Sequence, residues 1–284
     1  TLDLTSQTYI APSDSSYGIN GFHLNFSDSS TNEALGYDSA PTIPDLDPKK
    51  GFDIVTYTGN STARKIGGLA FEPGLVIVKA RSAAYLHYWV DSVRGADKNL
   101  YSSSTEATQT ADRLSSFEAN GFGLTSHTGV NNNGTTYVAW NWRAGGPAVA
   151  NTDGSVTSQV SANNDYGFSV VKYTMGSSDI TVGHGLSTEP KWIITRRFDN
   201  TDSWIVYHAS LGKTKYLFLN GSNAAFTDTA DAFTSTSSSV FDARAGLINA
   251  GECIAYCWSE VSGYSKFGSW TGTGSAGLKV TTGF

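Results

Sequence analysis

The stretch GFDIVTYTGNS at residues 51–61 returns as GFSVVKYTMGS at 167–177, which is 116 residues further along the chain. Three further matches keep nearly the same spacing: GLAFEP at 68–73 with GLSTEP at 185–190, GVNNNG at 129–134 with GLINAG at 246–251, and YVAWNW at 137–142 with CIAYCW at 253–258. Repeats of about 20–50 residues stack as solenoids, whereas a unit near 100 residues has the size of an independent domain. The sequence therefore predicts two copies of one domain.

The local pattern predicts strands in both copies. FDIVTYT and its repeat are rich in β-branched and aromatic residues, and LVIVKA at 75–80 and WIITRR at 192–197 each follow a Glu-Pro pair. Clusters of Gly, Asn, Asp and Ser, such as residues 131–134, separate these stretches and are typical of tight turns. We predict an all-β chain of two tandem homologous antiparallel β-sandwich domains, preceded by a short N-terminal β segment.

The predicted domain boundaries follow the duplication. An N-terminal segment covers residues 1–50, the first sandwich covers 51–146, and the second covers 167–262. Residues 147–166 lie between the two copies and are small and polar, which is the composition of a linker. Residues 263–284 form a tail rich in Gly, Ser and Thr.

Composition argues against several classes of partner. The formal net charge is −6, so a basic stripe for nucleic acid is not expected. No run of about 18 apolar residues occurs, which argues against membrane insertion, and Thr1 opens no signal peptide. Cys253 and Cys257 would lie about 13 Å apart along one strand, too far for a disulfide, so we expect buried free thiols.

No catalytic, cofactor or metal site is predicted. The five histidines occupy unrelated contexts, and no HExxH, GxSxG or phosphate-loop motif occurs. His184 stands where the first copy has Gly67, so a duplicated catalytic role fails, and we interpret it as a turn histidine. The Asp-rich stretches at 43–50 and 198–204 lack the spacing of a calcium loop and are interpreted as turns rather than as metal ligands or a glycosidase pair.

Several longer strings resemble a family of marine and cyanobacterial-phage virion proteins. They include SYGINGFHLNFSDSSTNEALGYDS at 16–39, YWVDSVRGADKNLYSS at 88–103, GVNNNGTTYVAWNWRAGG at 129–146, VGHGLSTEPKWIITRR at 182–197 and CIAYCWSEVSGYSKFGSWTGTGS at 253–275. The resemblance implies a structural role in the tail or tail fibre, and therefore a location on the virion. It also implies that residues 1–50 resemble the end of a LamG-type, concanavalin-like sandwich, whose upstream part is absent here, and that LKVTTGF at 278–284 resembles the opening of another unit.

The best candidate binding surface in the sequence is aromatic. Tyr85, Tyr88 and Trp89 in the first copy correspond roughly to Trp204 and Tyr207 in the second. Aromatic faces can stack on sugar rings, but alternation along a strand buries about half of such side chains. Core packing is therefore the first interpretation of these residues, glycan binding the second and subunit contact the third.

The functional prediction is a non-enzymatic virion protein, tail-fibre or tail-associated, that attaches to a host-surface glycan. Its expected partners are other virion proteins, that glycan, and further copies of itself in a homo-oligomer, since linked weak sites raise avidity. One alternative is a capsid decoration or head-fibre protein that binds only other virion subunits. A second alternative is a polysaccharide depolymerase, which would require two carboxylates in one cleft.

Overall fold

Segments in which β-branched and aromatic residues alternate with other side chains form strands in the computed structural model, which describes residues 46–228 and 232–282. The first copy contains β1 (Phe52–Thr58), β2 (Arg64–Gly67), β3 (Leu75–Ala80), β4 (Tyr88–Asp91), β5 (Lys98–Tyr101), β6 (Gln109–Thr110), β7 (Leu114–Glu118), β8 (Gly121–Leu124) and β9 (Thr136–Trp142). The connecting segment contains β10 (Val149–Asn151) and β11 (Ser158–Asn163).

The second copy repeats this order with eight strands, because its described residues include no counterpart of β7. It contains β12 (Phe168–Met175), β13 (Ile180–Gly183), β14 (Trp192–Arg197), β15 (Ile205–His208), β16 (Lys215–Phe218), β17 (Phe226–Thr227), β18 (Val240–Ala243) and β19 (Gly251–Trp258). Helical structure in the described residues is limited to 3-10 turns at Pro48–Lys50 and Ala209–Leu211 and to the short helix α1 (Thr128–Asn131). The all-β prediction is confirmed.

Each copy builds one large and one small antiparallel sheet. The first copy has a six-stranded sheet in the order β1-β9-β3-β4-β5-β6 and a three-stranded sheet in the order β2-β8-β7. The second copy has an eight-stranded sheet in the order β10-β11-β12-β19-β14-β15-β16-β17 and a two-stranded sheet of β13 and β18. The predicted sandwich character of the fold is therefore present in both copies.

Three apolar cores separate the sheets, because the large sheets bury both of their faces. In β3, Val76 and Val78 face the three-stranded sheet, and Leu75 and Ile77 face the opposite way. In β19 the cysteines and Ala255 belong to the core beneath the two-stranded sheet, while the residues between them belong to the core shared with the first copy. The sheets thus stack in four layers, with the six-stranded and eight-stranded sheets packed face to face in the middle.

Tryptophans from the two copies meet in this middle core. The rings of Trp89 and Trp204 have their centroids 5.2 Å apart, and those of Trp142 and Trp258 are 5.9 Å apart. Trp142 and Trp258 hold the same place in the two copies, and contact between a residue and its own equivalent is the pattern of a two-fold, isologous interface. The two copies therefore pack like the subunits of a homodimer, although they belong to one chain.

Buried hydrogen bonds also stabilise the interface between the two copies. Arg196 is fully buried, and its guanidinium donates to the main-chain oxygens of Thr105 at 3.0 Å and Glu106 at 2.8 Å in the first copy. Burial lowers the pKa of Arg196 to about 10. Trp204 donates from Nε1 to the carbonyl oxygen of Tyr101 at 2.8 Å. These bonds satisfy buried donors across the interface and fix its register.

Residues 147–166, predicted to be a linker between the copies, contain two paired strands. Strand β11 pairs along the edge of β12, and β10 pairs with β11. Two hydroxyl groups in β11 are buried but bonded: Ser158 donates to the Gly183 oxygen at 2.7 Å, and Ser161 donates to the Gly146 oxygen at 2.6 Å. Small polar residues therefore serve here as strand residues, because main-chain pairing and local hydroxyl bonds replace large apolar contacts.

The structure describes only part of the predicted N-terminal segment and of the predicted tail. Residues 1–45, which include most of the predicted N-terminal β segment and its LamG-like string, lie outside the described residues. Of the predicted tail, residues 263–282 are described and contain no strand, and every residue from 268 to 282 is exposed. Both cysteines are free and buried, and burial raises the pKa of Cys253 to about 12.

Trp204→Ala should lower the free energy of unfolding by about 3–5 kcal/mol, because it opens a cavity in the shared core and removes the bond to Tyr101. Trp270→Ala is the matched control, since Trp270 lies in the tail and is 66% exposed. Urea unfolding followed by circular dichroism measures both. An equal, small effect of the two substitutions would contradict the shared core.

Candidate functional site

The five aromatic residues singled out in the sequence do not form one surface. Tyr88 and Trp89 are buried in the first copy, and Trp204 and Tyr207 are buried in the second. Tyr85 is half-buried and packs against the core of the first copy. These residues therefore pack in the core, which was the first of the three interpretations, and they do not form an aromatic surface for a glycan. The reason is that successive residues of these strands point into two different apolar cores.

Their contacts divide them among all three cores. Tyr88 meets the ring of Tyr101 edge-on at 5.4 Å inside the first copy. Tyr207 lies 4.8 Å from the ring of Phe233 inside the second copy, and burial raises the pKa of its hydroxyl to about 12. Only Trp89 and Trp204 contact each other, and they do so in the shared core. None of the four buried rings can stack on a sugar without unpacking a core.

A buried charged cluster joins the two copies. Asp91 and Arg94 form an ion pair at 2.6 Å in the first copy, and the Tyr256 hydroxyl of the second copy donates to the same carboxylate oxygen at 2.8 Å. Burial works against the charge on Arg94, but Asp91 and Tyr256 outweigh it and hold the pKa of the guanidinium above its ordinary value. The cluster is enclosed, and its geometry is that of a structural clamp between the copies.

The histidines of the described residues serve local structure. His184 is fully buried at the end of β13, where its Nδ1 accepts from the Leu186 N–H at 3.1 Å and its Nε2 lies 3.2 Å from the Ser237 oxygen. Burial lowers the pKa of His184. His127 and His208 each accept a main-chain N–H through Nδ1 and so cap short helical turns. Across residues 46–228 and 232–282, no group of three or more potential metal ligands comes together.

In the described residues, aspartates of the two Asp-rich stretches form hydrogen bonds or ion pairs with other groups of the protein. Asp47 caps the 3-10 turn at Pro48–Lys50 by accepting from the Lys49 N–H at 3.0 Å. Asp199 pairs with Arg197. Asp202 accepts from the Asn249 side chain at 3.1 Å. The Asp47 bond agrees with the interpretation of the first stretch as a turn, whereas Asp202 bonds across to the segment before β19.

A polar cleft of about 780 Å³ lies where the first copy meets the connecting segment. Three stretches form most of its wall: residues 72–74 before β3, residues 143–147 after β9, and residues 162–165 at the end of β11. Ser92 and Phe117 complete the lining. Because each stretch lies at the end of a strand in a large sheet, the cleft is built on the rigid part of the fold.

Close backbone approaches shape the cleft and require glycine. A Cβ atom on Gly74 would lie 2.3 Å from the Ala144 Cβ, and one on Gly145 would lie 2.1 Å from the Ala162 carbonyl oxygen. Heavy atoms this close must move apart, so a larger residue at either position would push the walls out of place. The first approach holds the wall within the first copy, and the second holds the first copy against β11.

The side chains in the cleft are mainly hydrogen-bonding groups. Glu72, Arg143 and Asp165 contribute charges and are all exposed to solvent, and Asn163 and Asn164 contribute amides. Carboxylates accept, guanidinium groups donate, and amides do both, so this set can bind a ligand that carries many hydroxyl groups. The second copy differs at the matching Glu-Pro pair, where Glu189 is held by Lys191 and Lys213.

Sequence reasoning missed this cleft because its parts are distant in the chain. Residues 143–147 lie at the start of the predicted linker, and residues 163–165 lie near its end. They meet only because β11 adds to the edge of β12. A usable signal was present in the clustering of amides and carboxylates beside the paired glycines Gly145 and Gly146.

The family model for a domain of unknown function, DUF7483, matches residues 47–284. The chain belongs to this family. The match spans both copies and the segment between them, so the family unit is the fused pair rather than one copy. No curated protein and no solved structure matches the chain. Within the described part of the chain, no helix has the length and apolar character needed to cross a membrane.

Asp91→Asn should lower the free energy of unfolding by about 3–5 kcal/mol, because it leaves the Arg94 guanidinium buried without its counter-charge. Glu118→Gln is the control, since it removes the ion pair with Lys65 on the protein surface, where Lys65 is 73% exposed. Chemical unfolding of both variants measures the difference. If the midpoints of the two variants coincide, the clamp between the copies does not exist in solution.

Proposed function

We propose that this chain is a structural protein of a phage virion, in the tail fibre or associated with the tail, and that it attaches to a host-surface glycan. The resemblance of residues 16–39, 88–103 and 129–146 to phage virion proteins supports the virion role. The polar cleft between the first copy and the connecting segment is the observation that supports glycan attachment.

The size and chemistry of the cleft fit a short stretch of polysaccharide. Ligand sites commonly enclose about 300–1,000 Å³, and the cleft volume of about 780 Å³ lies in that range. Its charged and amide side chains can pair with sugar hydroxyls, and the Phe117 ring offers an apolar surface. This site replaces the buried aromatic residues as the proposed contact with glycan.

A rigid scaffold favours such attachment. The cleft walls are strand ends held by the close approaches at Gly74 and Gly145, so little conformational entropy is lost when a ligand binds. A single polar cleft is expected to bind sugars weakly. Several copies on one particle would raise the overall avidity, which fits a homo-oligomeric virion component.

The exposure of Glu72 and Asp165 bears on the depolymerase alternative. The structure brings these two carboxylates into one cleft, which is the arrangement that alternative requires. Both side chains are exposed, however, whereas the general acid of a glycosidase depends on burial to stay protonated. Binding without cleavage is therefore the favoured function of the cleft.

Purified protein should bind bacterial surface polysaccharides saturably on a glycan array. The double substitution Glu72→Ala/Asp165→Ala should weaken this binding about tenfold or more, because it removes charged acceptors from the cleft. Glu106→Ala/Asp112→Ala is the matched control, since it removes the same charge from exposed residues outside the cleft. Unfolding midpoints should be equal for all three proteins.

Two results would contradict glycan attachment. Folded protein that binds neither the array nor host cells would favour the capsid-decoration alternative, in which only virion subunits are bound. New reducing ends released from the bound polysaccharide, and lost in the cleft variant, would favour the depolymerase.

A further inference from the structure

Three aromatic rings cluster on β16 and β17 of the eight-stranded sheet. Tyr216 in β16 lies opposite Phe226 in β17, and their rings stack with centroids 5.5 Å apart and an angle of 16° between the planes. The ring of Phe218 meets the Phe226 ring edge-on at 5.1 Å. We call Tyr216, Phe218 and Phe226 together the Phe226 stack.

The Phe226 stack is buried at one side and exposed at the other. Tyr216 and Phe218 are half-buried and pack against the core of the second copy. Phe226 is 36% exposed and lies on β17, the outermost strand of its sheet among the described residues. The main chain after β17 continues toward the start of β16, where the Asp228 N–H donates to the Thr214 oxygen at 2.8 Å. The stack therefore presents one ring to solvent on a fixed support.

The first copy has the same pair of outer strands without the rings. In both copies these strands pair a lysine with a threonine. The next pair is Asn99 with Gln109 in the first copy. The second copy has Tyr216 with Phe226 at that place. Asn99 is buried, and its amide donates to the Ala111 oxygen at 2.6 Å. Because a polar pair is accommodated here in the first copy, the fold does not require aromatic residues at this position.

The exposed part of the stack has the size of a sugar ring. An aromatic side chain presents about 150–250 Å², so the 36% of Phe226 that is exposed offers a surface on the order of 70 Å². A standard protein interface takes about 800 Å² from each partner. A single sugar ring therefore fits this surface better than another protein does.

Polar groups lie beside the exposed ring. Asp228 follows Phe226 by two residues and so lies on the same face, and its carboxylate pairs with the Arg244 guanidinium at 2.8 Å. Thr214, which lies across from Asp228, is exposed. Carboxylate and hydroxyl oxygens accept hydrogen bonds and a guanidinium donates them, so this edge can pair with the hydroxyl groups of a sugar.

We infer that Phe226 is a sugar-stacking subsite on the second copy, for hexoses in the glucose configuration. The ring C–H groups of such a sugar form an apolar face that can lie on the Phe226 ring. Its hydroxyl groups then reach the polar edge at Asp228 and Arg244. Because Tyr216 and Phe218 hold the ring in place, little side-chain entropy is lost on binding. This subsite goes beyond the proposed cleft and does not require that the cleft binds glycan.

Saturation-transfer-difference NMR of the whole chain tests the subsite with a β-linked glucose tetramer. The ring C–H protons of the sugar should receive the saturation. An α-linked mannose tetramer should bind several-fold more weakly, because its axial oxygens at C1 and C2 interrupt both faces of each ring. Phe226→Gln, which introduces the residue of the first copy, should weaken binding of the glucose tetramer about three- to tenfold. Phe226→Trp keeps an aromatic face and should bind at least as tightly as the wild type.

Two controls separate this subsite from other surfaces. Trp270→Gln removes a ring that is 66% exposed in the tail and should leave binding unchanged. Phe226→Gln is also measured together with Glu72→Ala/Asp165→Ala, which removes the charged acceptors of the cleft, so that the remaining binding reports the Phe226 stack alone. Unfolding midpoints of all variants should equal that of the wild type.

Four results would overturn the inference. They are no binding of the glucose tetramer by the folded cleft variant, equal binding after Phe226→Gln is added to it, an equal loss from Trp270→Gln, and equal affinity for the mannose tetramer. Binding that depends on Phe226 but is unaffected by the cleft variant would support the subsite and count against the cleft. The two proposals therefore fail on different results.

Discussion

Face-to-face packing of the two large sheets is the interaction on which the rest of the structure depends. The inner faces carry the contacts of Trp89 with Trp204 and of Trp142 with its equivalent Trp258, and the Asp91 clamp lies beside them. Burying both faces of a sheet removes a large apolar area from water, which is the main favourable contribution to folding. Neither copy could expose its inner face without presenting a large apolar patch, so the two copies are parts of one folding unit.

The surfaces for which we propose a function arise where the two copies differ, and not from the scaffold that they share. The polar cleft forms where the connecting segment meets the first copy, and the second copy has ion pairs at the corresponding Glu189. The second copy has Tyr216 and Phe226 where the first has Asn99 and Gln109. Duplication thus supplied a rigid two-fold core, and the connecting segment and substitutions in the outer strands supplied the asymmetry. The cleft and the Phe226 stack are proposed to bind sugars on separate parts of the molecule.

The duplication, the strands and the all-β class could be predicted because they depend on local patterns. The burial of Trp204 could not, because a period of two does not reveal whether the second face of a sheet meets solvent or another sheet. The continuous apolar run LVIV at 75–78 was the available signal for burial on both faces. The strand β11 was missed because Ser158 and Ser161 are buried with local partners, which composition does not show. The cleft depends on that strand and was missed with it.

Fluorine NMR of protein labelled with 5-fluorotryptophan tests the shared core most directly. Each copy contains three of the seven tryptophans, at 89, 140 and 142 and at 192, 204 and 258, and Trp270 lies in the exposed tail. During urea unfolding, the six native signals from the two copies should disappear with one common midpoint, while the Trp270 signal changes little. Two separate midpoints, with the tryptophans of one copy keeping native shifts after the other copy has unfolded, would contradict a single core.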